Sequence, residues 1–235
     1  MITVIGTGHV FNLAEPVSFI VKNTWPDAVL IELDMSRYKT ITSEGDGGES
    51  KEGRSTIYRQ TAEYQNRMAE KYGNKVGGEF LAAVNTGKLA GADIIPIDTD
   101  AQRVMDEMWD EMSVGEKTRY KLSGIRDSVL GRRAVENVQK SFAVNEEAYV
   151  ADMRRRYPTL VRKLIDERNA YMAEQINKAS EDHENMVVVV GDAHVEGICA
   201  LLKDPVVRKI RLADLMDDAR LKEVRKMVWN GEDTI

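Results

Sequence analysis

The segment Val187-Val188-Val189-Val190-Gly191-Asp192-Ala193-His194-Val195-Glu196-Gly197 has a shorter counterpart near the N-terminus, Thr3-Val4-Ile5-Gly6-Thr7-Gly8-His9-Val10. Each copy is a run of β-branched residues followed by Gly-x-x-His and by residues that can begin a helix. Two of the three histidines of the chain occupy this pattern. An apolar, β-branched run that ends at a glycine is typical of a buried strand. We therefore expect two strands whose following loops carry His9 and His194 and meet at one site.

The rest of the chain alternates further strands with helical patterns. Apolar runs predict a second strand at residues 28–34 and a third at 93–98, where Pro96 favours an edge position because it lacks an N–H group. Alternating residues at 205–212 predict a fifth, edge strand. Residues 100–180 are helical in pattern throughout. The fold class that follows is α/β: a largely parallel sheet of about five strands, with a helical insertion between the third and fourth strands.

At 235 residues the chain is long enough to bury a substantial core, and we expect a single domain over residues 1–235. The helical insertion would occupy about residues 100–180, and an amphipathic helix would close the chain at 213–235. Residues 42–56 are polar and rich in glycine, which predicts a loop. That loop is either a surface insertion or a lid over the site.

Composition excludes several classes of function. The net charge is −6 with acids and bases interspersed, whereas a nucleic-acid-binding protein would present a basic face. A single cysteine, Cys199, rules out an intramolecular disulfide and suits a reducing compartment. No segment approaches the ~20 apolar residues of a membrane span, and the N-terminus lacks the features of a signal peptide. The sequence therefore predicts a soluble, cytoplasmic protein without a membrane span.

Two charged residues stand where apolar residues are expected. Glu32 lies within the apolar run of the second strand, and Arg168 lies on the apolar stripe of a helix predicted at 158–180. A buried carboxylate is costly unless it is paired, and a guanidinium cannot lose its charge. The carboxyl ends of parallel strands share one edge, where Asp98 would join them. We therefore expect Glu32 to pair with Arg168, with Arg37 or with a metal ion.

Two kinds of ligand fit the glycine-histidine loops. His9, His194 and Glu32 would fill three positions on a divalent transition metal and leave a fourth for water, although the compact His-Glu-x-x-His spacing is absent. Alternatively, the backbone N–H groups of the glycine loops would bind a phosphate or a carboxylate. The absence of Gly-x-Gly-x-x-Gly argues against a dinucleotide.

In these residues the chain resembles the TraB/PrgY family, within a larger group that also holds the Tiki proteases and the erythromycin-esterase-like and ChaN-like proteins. The resemblance covers Ile2 to about Leu202 and rests on motifs that occur in the expected order. They are Ile5-Gly6-Thr7-Gly8-His9-Val10, Pro26 to Asp34 with Arg37-Tyr38, Gly78-Glu79-Phe80, Ile97-Asp98, Glu167-Arg168-Asn169 with Met172, and Gly191 to Ile198.

The resemblance implies an α/β fold with a helical insertion, and shared polar positions at His9, Glu32, Glu79, Arg168 and His194. Tiki relatives are described as metal-dependent proteases, and PrgY relatives as blockers of a peptide pheromone. The family often has Asp-Arg after the third strand, whereas here the chain continues Asp98-Thr99-Asp100 and reaches an arginine at position 103. Many relatives carry membrane helices after the second Gly-x-x-His, and this chain instead has an amphipathic tail.

These observations predict a peptidase-like, metal-dependent hydrolase that acts on a peptide or a small-molecule amide or ester. The alternative is a non-catalytic protein that sequesters a peptide or a small anion in the same crevice. A homodimer is possible, with the tail as its interface. The expected roles are metal binding by His9, His194 and Glu32, with manganese, cobalt or zinc as the ion; catalysis by Glu32, Arg168 and Glu79; and substrate or anion binding by Gly6, Gly8, Arg37, Asn169, Gly191 and Asp98.

Overall fold

The structure is a computed structural model that describes residues 1–8, 11–42, 77–130, 146–203 and 207–230. His9 and residues 43–56 of the polar loop lie outside the described residues. So do residues 57–71, whose amphipathic sequence predicts a helix. None of the described helices is long and apolar enough to cross a membrane.

Five parallel strands form the described sheet, in the spatial order β3-β2-β4-β1-β5. This confirms the predicted α/β fold and parallel sheet. The two copies of the repeated pattern form adjacent strands, paired along their full length from Ile2 opposite Met186 to Thr7 opposite Gly191. The strands are β1 (Ile2–Thr7), β2 (Ala28–Ile31), β3 (Asp93–Pro96), β4 (Met186–Gly191) and β5 (Val207–Ile210).

Helices cover both faces of the sheet, and the valines of β4 divide between the two layers. Val187 and Val189 pack with the first helical layer, whereas Val188 and Val190 pack with the second. The helices are α1 (Ala14–Thr24), α2 (Met35–Thr42), α3 (Gly78–Ala90), α4 (Ala101–Glu111), α5 (Val114–Leu130), α6 (Glu146–Arg156), α7 (Pro158–Val161), α8 (Glu167–Ala179), α9 (Asp192–Cys199), α10 (Leu212–Met216) and α11 (Asp218–Asn230). Helices α1, α3, α10 and α11 form the first layer, and α8 and α9 form the second. Helices α4 to α8 lie between β3 and β4, where the sequence predicts the insertion.

The second and third strands end earlier than the sequence predicts. The N–H of Glu32 still donates to Val189, but the next N–H, that of Leu33, turns back to the carbonyl of Ile31. The chain therefore leaves the sheet at Glu32 and carries its carboxylate beyond the ladder. Pro96 ends β3, which is an edge strand as its missing N–H predicts.

The helix predicted over residues 158–180 is interrupted by a π-helical turn at Arg162–Asp166. There the N–H of Glu167 donates to the carbonyl of Arg162, five residues back, so the turn holds one more residue than an α-helical turn. The expected apolar positions Met172 and Ile176 are fully buried on α8. Apolar periodicity predicts a buried face but not a local change of helix type. The π-turn could therefore not be predicted from the sequence.

Glu116 joins two helices of the insertion. It completes a capping box with Ser113 at the start of α5, accepting the Ser113 N–H at 3.0 Å, and it also accepts the Thr159 N–H of α7 at 2.9 Å. Burial favours the neutral form of Glu116, but hydrogen bonds from Thr159 and Ser113 outweigh it and hold its pKa below the usual value. The carboxylate therefore fixes α7, and through it the segment that leads to α8.

We expect Glu116→Gln to lower the free energy of unfolding at pH 7 by about 1–3 kcal/mol, because two helix ends lose an anionic acceptor. A carboxyl group with a depressed pKa stabilises the fold above its unfolded pKa and loses that contribution as the pH falls through its folded pKa. The difference between wild type and variant should therefore shrink below about pH 4. Urea unfolding at pH 7 and pH 3, with the exposed Glu181→Gln as control, measures it. Equal stability of wild type and Glu116→Gln at pH 7 would contradict this role.

Candidate functional site

Glu32 stands between the carboxyl ends of two neighbouring strands. It follows β2, and its Oε2 accepts the N–H of Gly191, the last residue of β4, at 2.5 Å. The residue is 5% exposed. Glu32, which interrupts the apolar run of the second strand, is therefore buried, and neighbouring groups compensate its charge.

Arg168 supplies much of that compensation. Its Nη2 donates to Glu32 Oε1 at 2.5 Å and to Asp98 Oδ2 at 2.7 Å, and its Nε donates to Asp98 Oδ1 at 3.0 Å. Nη1 donates to the carbonyl of Leu164 in the π-turn at 3.1 Å. The structure thus brings together the two misplaced charges, Glu32 and Arg168, that the sequence expects to pair.

The cluster keeps Arg168 in its charged form. Burial alone would lower the pKa of Arg168, but the negative charges of Glu32 and Asp98 outweigh it and raise that pKa above the ordinary value. Removing one partner of such a buried pair leaves an uncompensated charge, which is far more costly than the net energy of the pair suggests.

Asp98 is shared by two guanidinium groups. Its side chain is fully buried, and Oδ2 accepts from Arg168 and from Nη2 of Arg37, the latter at 2.5 Å. Arg37 Nε also donates to Asp34 at 2.6 Å. Burial opposes ionisation of Asp34, but hydrogen bonds and the charge of Arg37 outweigh it and lower its pKa. Asp98, a secondary candidate from sequence, lies at the centre of the network.

Arg37 is the more open of the two arginines. Burial would lower its pKa, but the charges of Asp98 and Asp34 raise it. The side chain is 26% exposed, compared with 15% for Arg168. Among the described residues, Nη1 of Arg37 has no hydrogen-bond partner, whereas every nitrogen of the Arg168 guanidinium has one. Arg37 therefore keeps one donor group that a ligand could use.

His194 is held with a defined ring orientation. Its Nδ1 lies 2.6 Å from the side-chain oxygen of Asn169, which can only accept, so Nδ1 carries a proton and donates it. Nε2 lies 3.3 Å from Nη1 of Arg168 and 3.4 Å from Oε1 of Glu32. Nε2 of His194 therefore lies next to both the Arg168 guanidinium and the Glu32 carboxylate.

The glycines of the repeated pattern make close packing possible. A Cβ atom at Gly197 would lie 2.1 Å from the Asn169 side-chain nitrogen, and one at Gly6 would lie 2.0 Å from Oδ1 of Asp192. Gly197 thus lets α9 approach Asn169, a role that the sequence reasoning missed although the residue closes the second copy. Gly6 lies within β1, and Asp192 pairs with Arg211 at 3.0 Å.

Glu79, Gly8 and Gly191 are the other predicted site residues, and Arg103 is the arginine that follows the third strand. Glu79 is buried in the first turn of α3, and its catalytic role stays a prediction. Gly8 approaches Phe11 and Leu212, and the N–H of Gly191 is engaged by Glu32. Arg103, which departs from the family spacing, donates to Thr99 with a largely exposed side chain.

The described residues alone do not complete a metal site. Within them, no group of three or more histidine, cysteine, aspartate or glutamate side chains could hold a metal ion. Glu32 and His194 are two donors that face each other, and the predicted third ligand, His9, lies outside the described residues. The metal prediction therefore depends on His9.

Comparison with known proteins agrees with the arrangement of these motifs. The chain is 28% identical over 234 residues to an uncharacterized protein of the archaeon Methanocaldococcus jannaschii. The match covers 96% of this chain and 58% of that protein, so the chain spans little more than half the length of its relative. The sequence model described as the TraB/PrgY/gumN family matches residues 1–205, which include every residue of the cluster. The chain belongs to the TraB/PrgY/gumN family.

Proposed function

We propose that this protein is a metal-dependent hydrolase that cleaves a peptide, or a related amide or ester, at the cluster of Glu32, Arg168 and His194. The observation that carries the proposal is the 3.4 Å separation between Oε1 of Glu32 and Nε2 of His194. A carboxylate and an imidazole converge there at the carboxyl edge of a parallel sheet, where such folds bind ligands.

The donor set supports a metal if His9 completes it. His194 presents Nε2 while Asn169 fixes its other nitrogen, as the outer-shell partners of metal-binding histidines do. Glu32 would be a second ligand and His9 a third. A divalent ion such as manganese, cobalt or zinc would polarise the scissile carbonyl and lower the pKa of a bound water.

As an alternative to binding the metal, Glu32 is the proposed general base, taking a proton from water at Oε1. Arg168 pairs with the same oxygen and orients the carboxylate. With Nη1 3.3 Å from Nε2 of His194, Arg168 is also placed to stabilise negative charge that develops near the imidazole. Glu79 remains a second acidic candidate.

Arg37 is the proposed contact to an anionic part of the substrate. It is anchored by Asp34 and Asp98, so its guanidinium is held in place while Nη1 stays available among the described groups. Anchored guanidinium groups bind carboxylates with little further loss of side-chain freedom. Asp98, Asn169 and Gly191 would act through the groups that they hold rather than by touching substrate.

The alternative is a non-catalytic protein that sequesters a peptide or a small anion in the same crevice. One observation favours it: Glu32 and Asp98 are both neutralised by arginine, so the cluster is stable without turnover. The same Arg37 Nη1 would then hold the ligand. Whether the wild type cleaves library peptides or only binds them separates the two proposals.

We expect Glu32→Gln to reduce peptide hydrolysis by about 10²–10⁴-fold, because glutamine cannot accept the proton of water. Mass spectrometry of a peptide library incubated with protein and added manganese, cobalt or zinc measures the loss. Glu174→Gln, an exposed glutamate on α8, is the matched control. Hydrolysis by Glu32→Gln at the wild-type rate would exclude the general-base role, and a wild type that binds library peptides without cleaving them would favour sequestration.

Metal content tests the ligand set without an activity assay. We expect wild type to retain about one divalent ion per chain after dialysis, and the His9→Ala, His194→Ala double variant to retain none. Asn169→Ala should bind the ion about 10–100-fold more weakly, because the imidazole loses its orienting partner. His183→Ala is the control, since His183 bonds Asp93 and Ala179 instead. Elemental analysis that finds equal metal in wild type and the double variant would refute the proposed site.

A further inference from the structure

Arg211 binds one face of α9, the short helix that carries His194. Its Nε and Nη2 donate to the two carboxylate oxygens of Asp192, each at 3.0 Å, and its Nη1 donates to Oε1 of Glu196, also at 3.0 Å. Asp192 and Glu196 are four residues apart on the helix, so they lie on the same side and one turn from each other. A single guanidinium therefore holds α9 at two points along its axis.

The Asp192 carboxylate is also enclosed by two other parts of the chain. Its side chain is 5% exposed, and its Oδ1 accepts the N–H of Leu212 at 2.8 Å. On the side of β1, Gly6 leaves the space for it, because a Cβ atom at Gly6 would lie 2.0 Å from the same oxygen. The glycine of the first copy of the repeated pattern therefore makes room for a carboxylate of the second copy, and the segment that follows β5 binds that carboxylate.

Asn169 of α8 holds the opposite side of α9. His194 lies two residues from each of the residues that Arg211 binds, which corresponds to about 200° around the helix axis, so it projects from the far side. There its Nδ1 donates to the side-chain oxygen of Asn169 at 2.6 Å. Contacts on both sides therefore fix the rotation of α9. A rotation of about 20° would move an atom that lies about 6 Å from the axis by about 2 Å, which is more than a metal ligand or a catalytic group tolerates.

We propose that Arg211 is a positioning residue of the site, because it sets the rotation of α9 and with it the place of the His194 imidazole. In that place Nε2 lies 3.4 Å from Oε1 of Glu32 and 3.3 Å from Nη1 of Arg168. The effect of Arg211 on turnover rests on the proposed function, whereas its effect on the imidazole does not. Arg211 lies beyond residues 1–205, which the family model matches. The segment after β5 thus contributes to a site whose other named residues lie within that range.

Hydrogen exchange of the His194 Nδ1–H, followed by NMR in metal-free protein, tests this placement. We expect Arg211→Met to speed the exchange about tenfold, because a freer α9 weakens the hydrogen bond to Asn169, and Arg211→Lys to give an intermediate rate. Lys209→Met, which removes a second cation bound to the same helix, is the control and should keep the wild-type rate. An unchanged rate in folded Arg211→Met would overturn the proposal. Should Arg211→Met fail to fold, an unchanged rate in Asp192→Asn would overturn it equally.

Steady-state kinetics separates failure of this inference from failure of the proposed function. If Arg211 acts only through His194, Arg211→Met should lower kcat about 10–100-fold and leave KM within about twofold, and Arg211→Lys should recover part of kcat. An unchanged kcat, or a rise in KM alone, would overturn the positioning role while peptide hydrolysis by wild type upheld the proposed function. A wild type without hydrolysis would refute the proposed function, and the exchange of the His194 Nδ1–H would still decide the positioning role.

Discussion

A guanidinium that cannot be deprotonated, enclosed at the edge of a sheet, constrains the architecture of this protein. Arg168 must be surrounded by acceptors, and these come from distant parts of the chain: Glu32 after β2, Asp98 after β3 and the Leu164 carbonyl of the π-turn. Each acceptor fixes one connection of the fold. The carboxyl ends of β2 and β3 and the start of α8 must therefore lie close together.

Much of this arrangement could be predicted from two charged residues, Glu32 and Arg168, that occur where apolar residues are expected. Glu32 in an apolar run and Arg168 on an apolar stripe each lack a local partner in sequence, and burial without a partner is too costly to persist. Electrostatics therefore predicts that Glu32 pairs with Arg168, with Arg37 or with a metal ion, and in the structure Glu32 pairs with Arg168, 136 residues away. The repeated β-branched runs likewise predict buried parallel strands, since such runs suit a sheet covered on both faces.

The other contacts of the site depend on tertiary packing, which sequence patterns do not encode. Asp98 is one of several carboxylates after strands, and only the order β3-β2-β4 places it between Arg37 and Arg168. The contact of Gly197 with Asn169 depends on how closely two helices approach. Family resemblance indicates which positions matter, but the partner of each side chain follows from the tertiary structure.

The π-turn at Arg162–Asp166 sets which side of α8 faces the sheet edge. One residue corresponds to about 100° of rotation around a helix axis, so the extra residue turns α7 relative to α8 by that amount. The direction of the Arg168 guanidinium toward Glu32 and Asp98 therefore depends on this single extra residue.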